Sequence, residues 1–308
     1  MVPGEYIDAR FLLYTTLSKP WLEYSVETSY GAKMPRTSWE ALADYRLPEI
    51  SLAEQRRIAD FLDDQVARID NIVAAREKQA ALLVEERESD IGRVFLDASS
   101  NPVVPLRRVV RKWIDYRGAT PEKVESGIPL ITAANVRDGR IVFDGVEEFV
   151  AENEYERWMR RGLPLVGDIL LTTEAPLGQI AQIESTRVAL AQRIILMRPD
   201  PETLWPRWIY WYLRSPVGRA ELWSRATGST APGIKAERLT AVPIPVPPLL
   251  DQRRLLEPVE RSESQLRDAR AGLAISVRLL SELKRSLITA AVTGEFDVST
   301  ADGSRVPV

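Results

Sequence analysis

The sequence predicts an α+β protein: a strand-rich domain joined to two long helices that form an antiparallel coiled coil. Three observations predict it. Two stretches carry apolar residues at alternating spacings of three and four. The stretch between them carries short β-type runs bounded by turn signals. And the opening of the chain recurs near its end, displaced by 197 residues.

The first helix follows Leu47-Pro48-Glu49-Ile50. Pro48 disfavours helix before it, and Ser51 followed by Glu54 is a capping-box pattern. Ile58, Leu62, Val66, Ile69, Val73, Ala80 and Leu83 then recur at mostly helical spacing, which predicts a helix to about Phe95. The second helix follows Pro243, Pro245, Pro247 and Pro248, an extended lead-in. Its ladder is Leu255, Val259, Ser262, Leu266, Ala269, Leu273, Ser276, Leu280, Leu283 and Leu287. A helix of about 40 residues is about 60 Å long, and an apolar stripe of that length needs a partner. The other long helix is the one at hand, and an antiparallel pair hides both seams.

Between them, residues 127–131, 139–143, 167–172, 178–183 and 189–197 read as strands. Trp205 to Arg225 reads as helical, with Trp208, Trp211 and Tyr212 as core rather than a base-stacking platform.

The repeat is the most specific signal. Arg10 matches Arg207, Ser18 matches Ser215, Gly31 matches Gly228, Pro35 matches Pro232 and Leu42 matches Leu239. Gln55-Arg56-Arg57 matches Gln252-Arg253-Arg254 without a gap. Residues 98–197 have no earlier counterpart. The chain therefore divides into 1–45, the remnant of a first recognition domain; 46–97, a spacer helix; 98–247, a complete domain; 248–293, a second spacer helix; and 294–308, a flexible tail. Trp21, Trp39 and Phe11 lack the sheet they should pack on, which marks residues 1–45 as an interface or an unstable remnant.

Composition excludes much chemistry. There is no Cys and no His, so thiolate metal sites, histidine general bases and Ser-His-Asp hydrolysis are set aside. No apolar run approaches membrane-spanning length, and the opening residues do not resemble a secretory signal, so the expected location is the cytoplasm. The net charge of −3 is unevenly spread. Residues 1–98 hold 12 Lys+Arg against 18 Asp+Glu, a net of −6, whereas residues 99–247 hold 20 against 17, a net of +3. A middle domain more basic than its surroundings suits a phosphate-facing surface.

Two copies of a Pro-led entry into a long helix ending in Gln-Arg-Arg, each behind a Gly-containing loop, resemble the specificity subunit of Type I restriction–modification systems. Thr227-Gly228 to Ile234, Gly167-Asp168-Ile169-Leu170, Gly178 and Ala191-Gln192-Arg193 also look like that family's target-recognition domain. The resemblance implies two such domains on an antiparallel helix pair, each reading half of a split DNA sequence, with helix length fixing the gap. It implies no catalysis and no cofactor in this chain; S-adenosylmethionine, ATP and magnesium are expected on a methyltransferase subunit and a restriction/translocase subunit. The chain departs from the pattern in its first domain, whose front part has no counterpart here: a separate polypeptide supplies it, or two copies of the chain pair so that two complete domains read a symmetric split site, or the chain is a decayed gene product. The alternative is a truncated scaffold that binds partner subunits without reading DNA.

No methyltransferase motif competes with this reading: Val246-Pro247-Pro248-Leu249 lacks the polar lead and the aromatic. No Walker phosphate loop is present either. Asp168 and Glu174 have no Lys between Lys123 and Lys235 to complete a nuclease site, and Asp168 reads as a turn residue. Candidate base-edge contacts, chosen for their hydrogen-bonding groups, are Arg117, Asn135, Arg137, Arg140, Thr172, Thr173, Gln179, Gln192 and Arg193. Candidate phosphate contacts are Lys123, Arg225, Ser229, Thr230, Lys235 and Arg238. Gly228 to Gly233 favours close backbone approach, though its recurrence at Gly31 to Pro35 equally suits a requirement of the fold.

Overall fold

The computed structural model describes residues 6–116, 120–145, 148–228 and 231–299. Residues 9–43 form three short helices, where turn signals alone predict irregular runs. Helix α1 (Ala9–Leu17) starts at Asp8, whose carboxylate accepts the backbone N–H groups of Arg10 and Phe11. Ser18 ends it, and Pro20 sits in the first turn of α2 (Lys19–Glu27). Ser38 caps α3 (Trp39–Ala43) by accepting from Ala41 N–H. Helix α4 (Leu52–Asp97) begins where the capping pattern predicts, with Glu54 N–H donating to Ser51 Oγ at 3.2 Å.

Then follow β1 (Val103–Pro105), β2 (Val110–Asp115), β3 (Ile128–Ile131), β4 (Val136–Arg137), β5 (Arg140–Ile141), β6 (Phe149–Val150) and α5 (Tyr155–Trp158). After them come β7 (Ile169–Thr172), β8 (Ile180–Gln182), β9 (Ala189–Leu190) and β10 (Ile194–Pro199). The chain closes with α6 (Pro206–Arg214), α7 (Pro216–Ser224), α8 (Ala236–Thr240), β11 (Pro243–Pro245) and α9 (Leu249–Thr293). Every helix of the first set recurs at the 197-residue displacement: α1 as α6, α2 as α7, α3 as α8, and the start of α4 as the start of α9.

The chain forms two compact units, one of residues 1–83 and 266–308, the other of residues 84–265. The division falls inside the long helices rather than at their ends. Each helix contributes its start to one core and its end to the other.

In the unit of residues 84–265, β2-β10-β7-β8 form an antiparallel sheet whose two faces bury alternate residues. Ile169, Leu171, Ile195 and Met197 face Trp208, Trp211 and Tyr212 of α6, together with Ile91 and Phe95 of α4 and Leu256 and Val259 of α9. Leu170, Ala181, Ile194 and Leu196 face Ile128, Leu130 and Val150 of the β6-β3-β9 sheet. The aromatic residues of α6 are core, as expected: Trp208 is fully buried and its indole N–H donates to Pro245 O at 2.8 Å. The run 189–197 is two strands in two sheets rather than one, because Arg193 takes a positive φ of 69° and turns the backbone between β9 and β10.

In the other unit, Phe11 and Tyr14 of α1 pack with Ile58, Leu62 and Ile69 of α4 and Leu287, Ile288 and Ala291 of α9. The two helices run antiparallel there, with Lys284 Nζ on Asp70 Oδ1 at 2.7 Å. Along the seam Leu273 and Leu287 are buried, Leu280 and Leu283 half-buried and Ala269 exposed, and the apolar residues Ile72, Leu82, Ile275 and Leu279 lie exposed off the seam. Residues 294–299 are not the expected loose tail. Phe296 packs on Phe61 with ring centroids 5.6 Å apart, and Val298 is buried. Among the described residues, no helix is long and apolar enough to cross a membrane.

Candidate nucleic-acid interface

The repeat encodes a joint that fastens a short helix to the start of a long one. Gln252 is fully buried; its Oε1 accepts from Trp205 N–H at 2.9 Å and its Nε2 donates to Thr203 O and Pro247 O at 2.9 and 2.7 Å. Gln55 makes the same three bonds to Asp8 N–H, Tyr6 O and Ile50 O, at 2.9, 3.2 and 3.1 Å. About two turns further along the long helix, Arg207 Nε meets Glu260 Oε1 at 2.5 Å and Trp211 donates to the same oxygen at 2.8 Å. Arg10 and Tyr14 bind Asp63 in the same positions, both at 2.7 Å. Burial first, then the bond to Asp63, pushes the Tyr14 phenol up. Burial opposes the charge on Arg207, but the bond to Glu260 and the field of that carboxylate outweigh it and raise the group.

Three loops that carry expected contact residues meet on the domain built over this joint. The β7–β8 loop, the turn at Gln192-Arg193 and the loop before α8 are stitched by backbone bonds. Thr173 N–H donates to Arg193 O at 2.8 Å and Ile234 N–H to Thr173 O at 2.9 Å, while Glu174 bridges to Gly233. Two non-glycine residues there, Ala175 (φ 47°) and Arg193 (φ 69°), hold positive φ, a strained backbone of the kind that concentrates at functional sites. Arg193 is exposed and its Nε lies 3.0 Å from Glu174 Oε1. The convergent set is Thr172, Thr173, Gln179, Gln192, Arg193 and Lys235.

Not all of these present a free polar edge. Thr172 and Thr173 are buried, and Thr172 Oγ1 is spent between Pro176 O and Gln179 N–H. Asn135 is buried too; its Oδ1 accepts from Thr132 N–H and its Nδ2 donates to Val142 O. These three shape loops. Gln179 and Gln192 are half-buried, and Gln192 Nε2 donates to Thr120 Oγ1 at 2.6 Å. Lys235 is exposed. Arg137 and Arg140 stand exposed on the β4–β5 hairpin, which lies against β7 and β8. Lys123 pairs with Glu148 at 2.6 Å. Arg225 is held by Glu221 and Ser224, and Arg238 donates to Arg225 O at 3.3 Å. Arg117, Ser229 and Thr230 lie outside the described residues.

Gly228 and Gly31 both meet a requirement of the fold. They hold φ of 100° and 98°, and a Cβ would come 2.7 Å from Ala231 O and 3.2 Å from Met34 O. Asp168 is the turn residue expected, and more. It accepts from Leu165 N–H at 2.8 Å and binds Arg198 through both oxygens at 2.8 and 2.7 Å, so its carboxylate is spent within the domain.

A second polar cluster carries no motif in the sequence. The guanidiniums of Arg207 and Arg214 flank Tyr210 and Trp211, each within cation–π range, with 4.1 Å from Arg207 to the Tyr210 ring and 4.8 Å from Arg214. Arg214, Arg87 and Glu263 are all largely buried. The pairing of Arg10 with Asp63 and of Arg207 with Glu260 is visible as a match at the 197-residue displacement; Tyr210, Arg214 and Glu263 have no such match.

The fold and these loops define a class: a strand-rich domain packed on the ends of two long helices, with a helical joint that recurs at the 197-residue displacement. No protein-family model matches the chain. Its curated relatives are Type I restriction enzyme specificity subunits. It is 22% identical over 287 residues to the EcoBI specificity subunit of Escherichia coli, covering 84% of this chain and 60% of that protein. It therefore spans less than two thirds of that relative's length. It is 22% identical over 325 residues to the MjaVIII specificity subunit of Methanocaldococcus jannaschii, covering 96% of this chain and 72% of the relative. A chain from a solved structure on complex assembly and conformational transition of the type I R-M system shares the fold. Its TM-score is 0.71 at 19% identity, over 95% of this chain and 73% of that one.

Proposed function

We propose that this chain is a DNA-recognition subunit of a Type I restriction–modification complex, reading one half of a bipartite double-stranded target and performing no chemistry itself. The observation that carries the reading is the convergence of Gln179, Gln192, Arg193 and Lys235 on loops stitched together over a closed core. Arg193 and the hairpin residues Arg137 and Arg140 carry the guanidinium geometry that pairs with guanine edges and phosphates. S-adenosylmethionine, ATP and magnesium belong, in this reading, to the methyltransferase and restriction/translocase partners in the cytoplasm. The exposed apolar positions Ile275 and Leu279, beside Gly272, offer a groove for a partner helix.

The repeat also supports a reading of the first helices. In the unit of residues 84–265 the sheet covers α6, and Tyr210 and Leu213 are buried. Their counterparts in α1 are Leu13 and Thr16, and Leu13 and Leu17 are exposed. A strand-rich segment like that of β2 to β10 would cover this face.

The test is methylation-site mapping with the methyltransferase partner, comparing the wild type with Arg193→Ala and with Arg137→Ala/Arg140→Ala. Recognition predicts lost or relaxed preference at defined base pairs, each substitution costing roughly tenfold or more. Partner binding with no sequence preference in any DNA pool would replace this reading with that of a scaffold.

A further inference from the structure

One half of the polar cluster beneath α6 belongs to both copies of the repeat and one half to a single copy. Arg207, Trp211 and Glu260 have counterparts in Arg10, Tyr14 and Asp63, bonded alike, so they are part of the joint. Tyr210, Arg214 and Glu263 do not: the same positions in the first copy are Leu13, Leu17 and Val66. The fold therefore manages without them.

What they touch explains the difference. Tyr210 Oη donates to Gly139 O at 3.0 Å, at the tip of the β4–β5 hairpin. Arg214 Nη1 donates to the same hydroxyl and lies 3.9 Å from Glu263 Oε1, while Glu263 Oε2 lies 3.7 Å from Arg87 Nη1. The contacts run from the hairpin through α6 to α9 and then α4. Gly139 holds φ of 82°, and a Cβ there would come 2.2 Å from Tyr210 Oη, so the tip is seated closely. The cluster is poor as a stabilising device. Among the described residues, Arg87 Nε and Glu263 Oε2 are buried without hydrogen-bond partners, and burial pulls the Arg214 guanidinium below its ordinary value. Buried ion pairs of this quality are commonly matched or bettered in stability by apolar residues, which is what the first copy has at these positions.

We infer that Tyr210, Arg214 and Glu263, with Arg87, are positioning residues that fix the Arg137/Arg140 hairpin to the paired long helices. The inference rests on the proposed DNA-reading role only in giving the hairpin a target; the tether itself is independent of it. It makes the pose of the hairpin sensitive to whatever partner packs on the helices.

Tyr210→Phe removes the one oxygen at which the hairpin and Arg214 meet while leaving the packing in place. In the full chain, hydrogen–deuterium exchange across residues 134–143 should rise roughly tenfold, the effect of about one lost hydrogen bond. The urea unfolding midpoint should fall by no more than the equivalent of that one bond. Arg214→Leu/Glu263→Val, which installs the residue types of the first copy, should loosen the same amides and leave the midpoint unchanged or higher. Unaltered hairpin exchange in both variants overturns the tether, as does loosening spread evenly over the whole unit. Target preference is then mapped with the methyltransferase partner. A loosened hairpin with blurred preference supports the tether as part of DNA reading. A loosened hairpin with unchanged preference leaves the tether standing and removes the hairpin from the proposed interface.

Discussion

At the scale of the residue, Gln252 and Gln55 show how one side chain closes a fold. Each amide uses both ends to satisfy three backbone groups of a chain turning into a long helix. Replacing Gln252 by Ala strands those groups in a buried place and should cost about 2–4 kcal/mol, read from urea unfolding. The Gln-Arg-Arg repeat is legible as a motif, but its meaning is not, because two of each glutamine's three bonds reach across 47 to 49 residues. Arg193 was equally illegible as a turn: nothing in an arginine announces a positive φ, so Ala189 to Met197 reads as one strand. Glu88 offers a pH test. The bond from Arg219 holds its carboxyl below the ordinary glutamate value of 4.5, with burial opposing. A carboxylate depressed in the fold contributes stability that is present above the unfolded value and lost as pH falls through the lower folded one. Glu88→Gln should therefore cost less than about 1 kcal/mol near neutral pH, and the gap between the two unfolding midpoints should close in acid below 4.5.

At the scale of the element, α1 and α6 are the same helix in two settings. Leu213 of α6 is fully buried against the sheet, whereas Leu13 and Leu17 of α1 are 55% and 44% exposed. Leu213→Ala should cost about 2–5 kcal/mol, while Leu13→Ala and Leu17→Ala should fall within about 0.5 kcal/mol, when unfolding of the chain alone is measured. Adding a strand-rich partner that covers α1 would raise the cost of the latter two. The long helices are the most legible elements, because capping chemistry and a 4-3 ladder act locally; α4 starts where Ser51 and Glu54 place it. The short helices α1 to α3 are hidden by their length and by the prolines and glycines around them. The ladder overstates the closure of the seam, since it ranks residues by spacing and Ser262 and Ala269 have little to bury.

At the scale of the molecule, charge decides what kind of DNA contact the proposed role has available. The chain carries −3 overall, so long-range attraction cannot come from its total charge and must come from local cations of the domain whose segment carries a net of +3. Arg137, Arg140 and Lys235 are exposed there and Arg193 is exposed beside Glu174, whereas Arg198, Arg207 and Arg214 are half-buried beside carboxylates. If those four meet phosphates, the slope of log affinity against log salt is about −3.6, and affinity falls roughly a hundredfold between about 50 and 200 mM salt. Arg137→Ala/Arg140→Ala should then flatten the slope by about 2, whereas substitution of the paired Lys123 should change it by less than 1. Fluorescence anisotropy titrations over a salt series measure both. A slope near zero would show that the exposed cations face solvent in the complex. A steep slope untouched by the hairpin substitutions would move the phosphate contacts to the loops around Arg193 and Lys235, where Glu174 lies 3.0 Å from the Arg193 guanidinium.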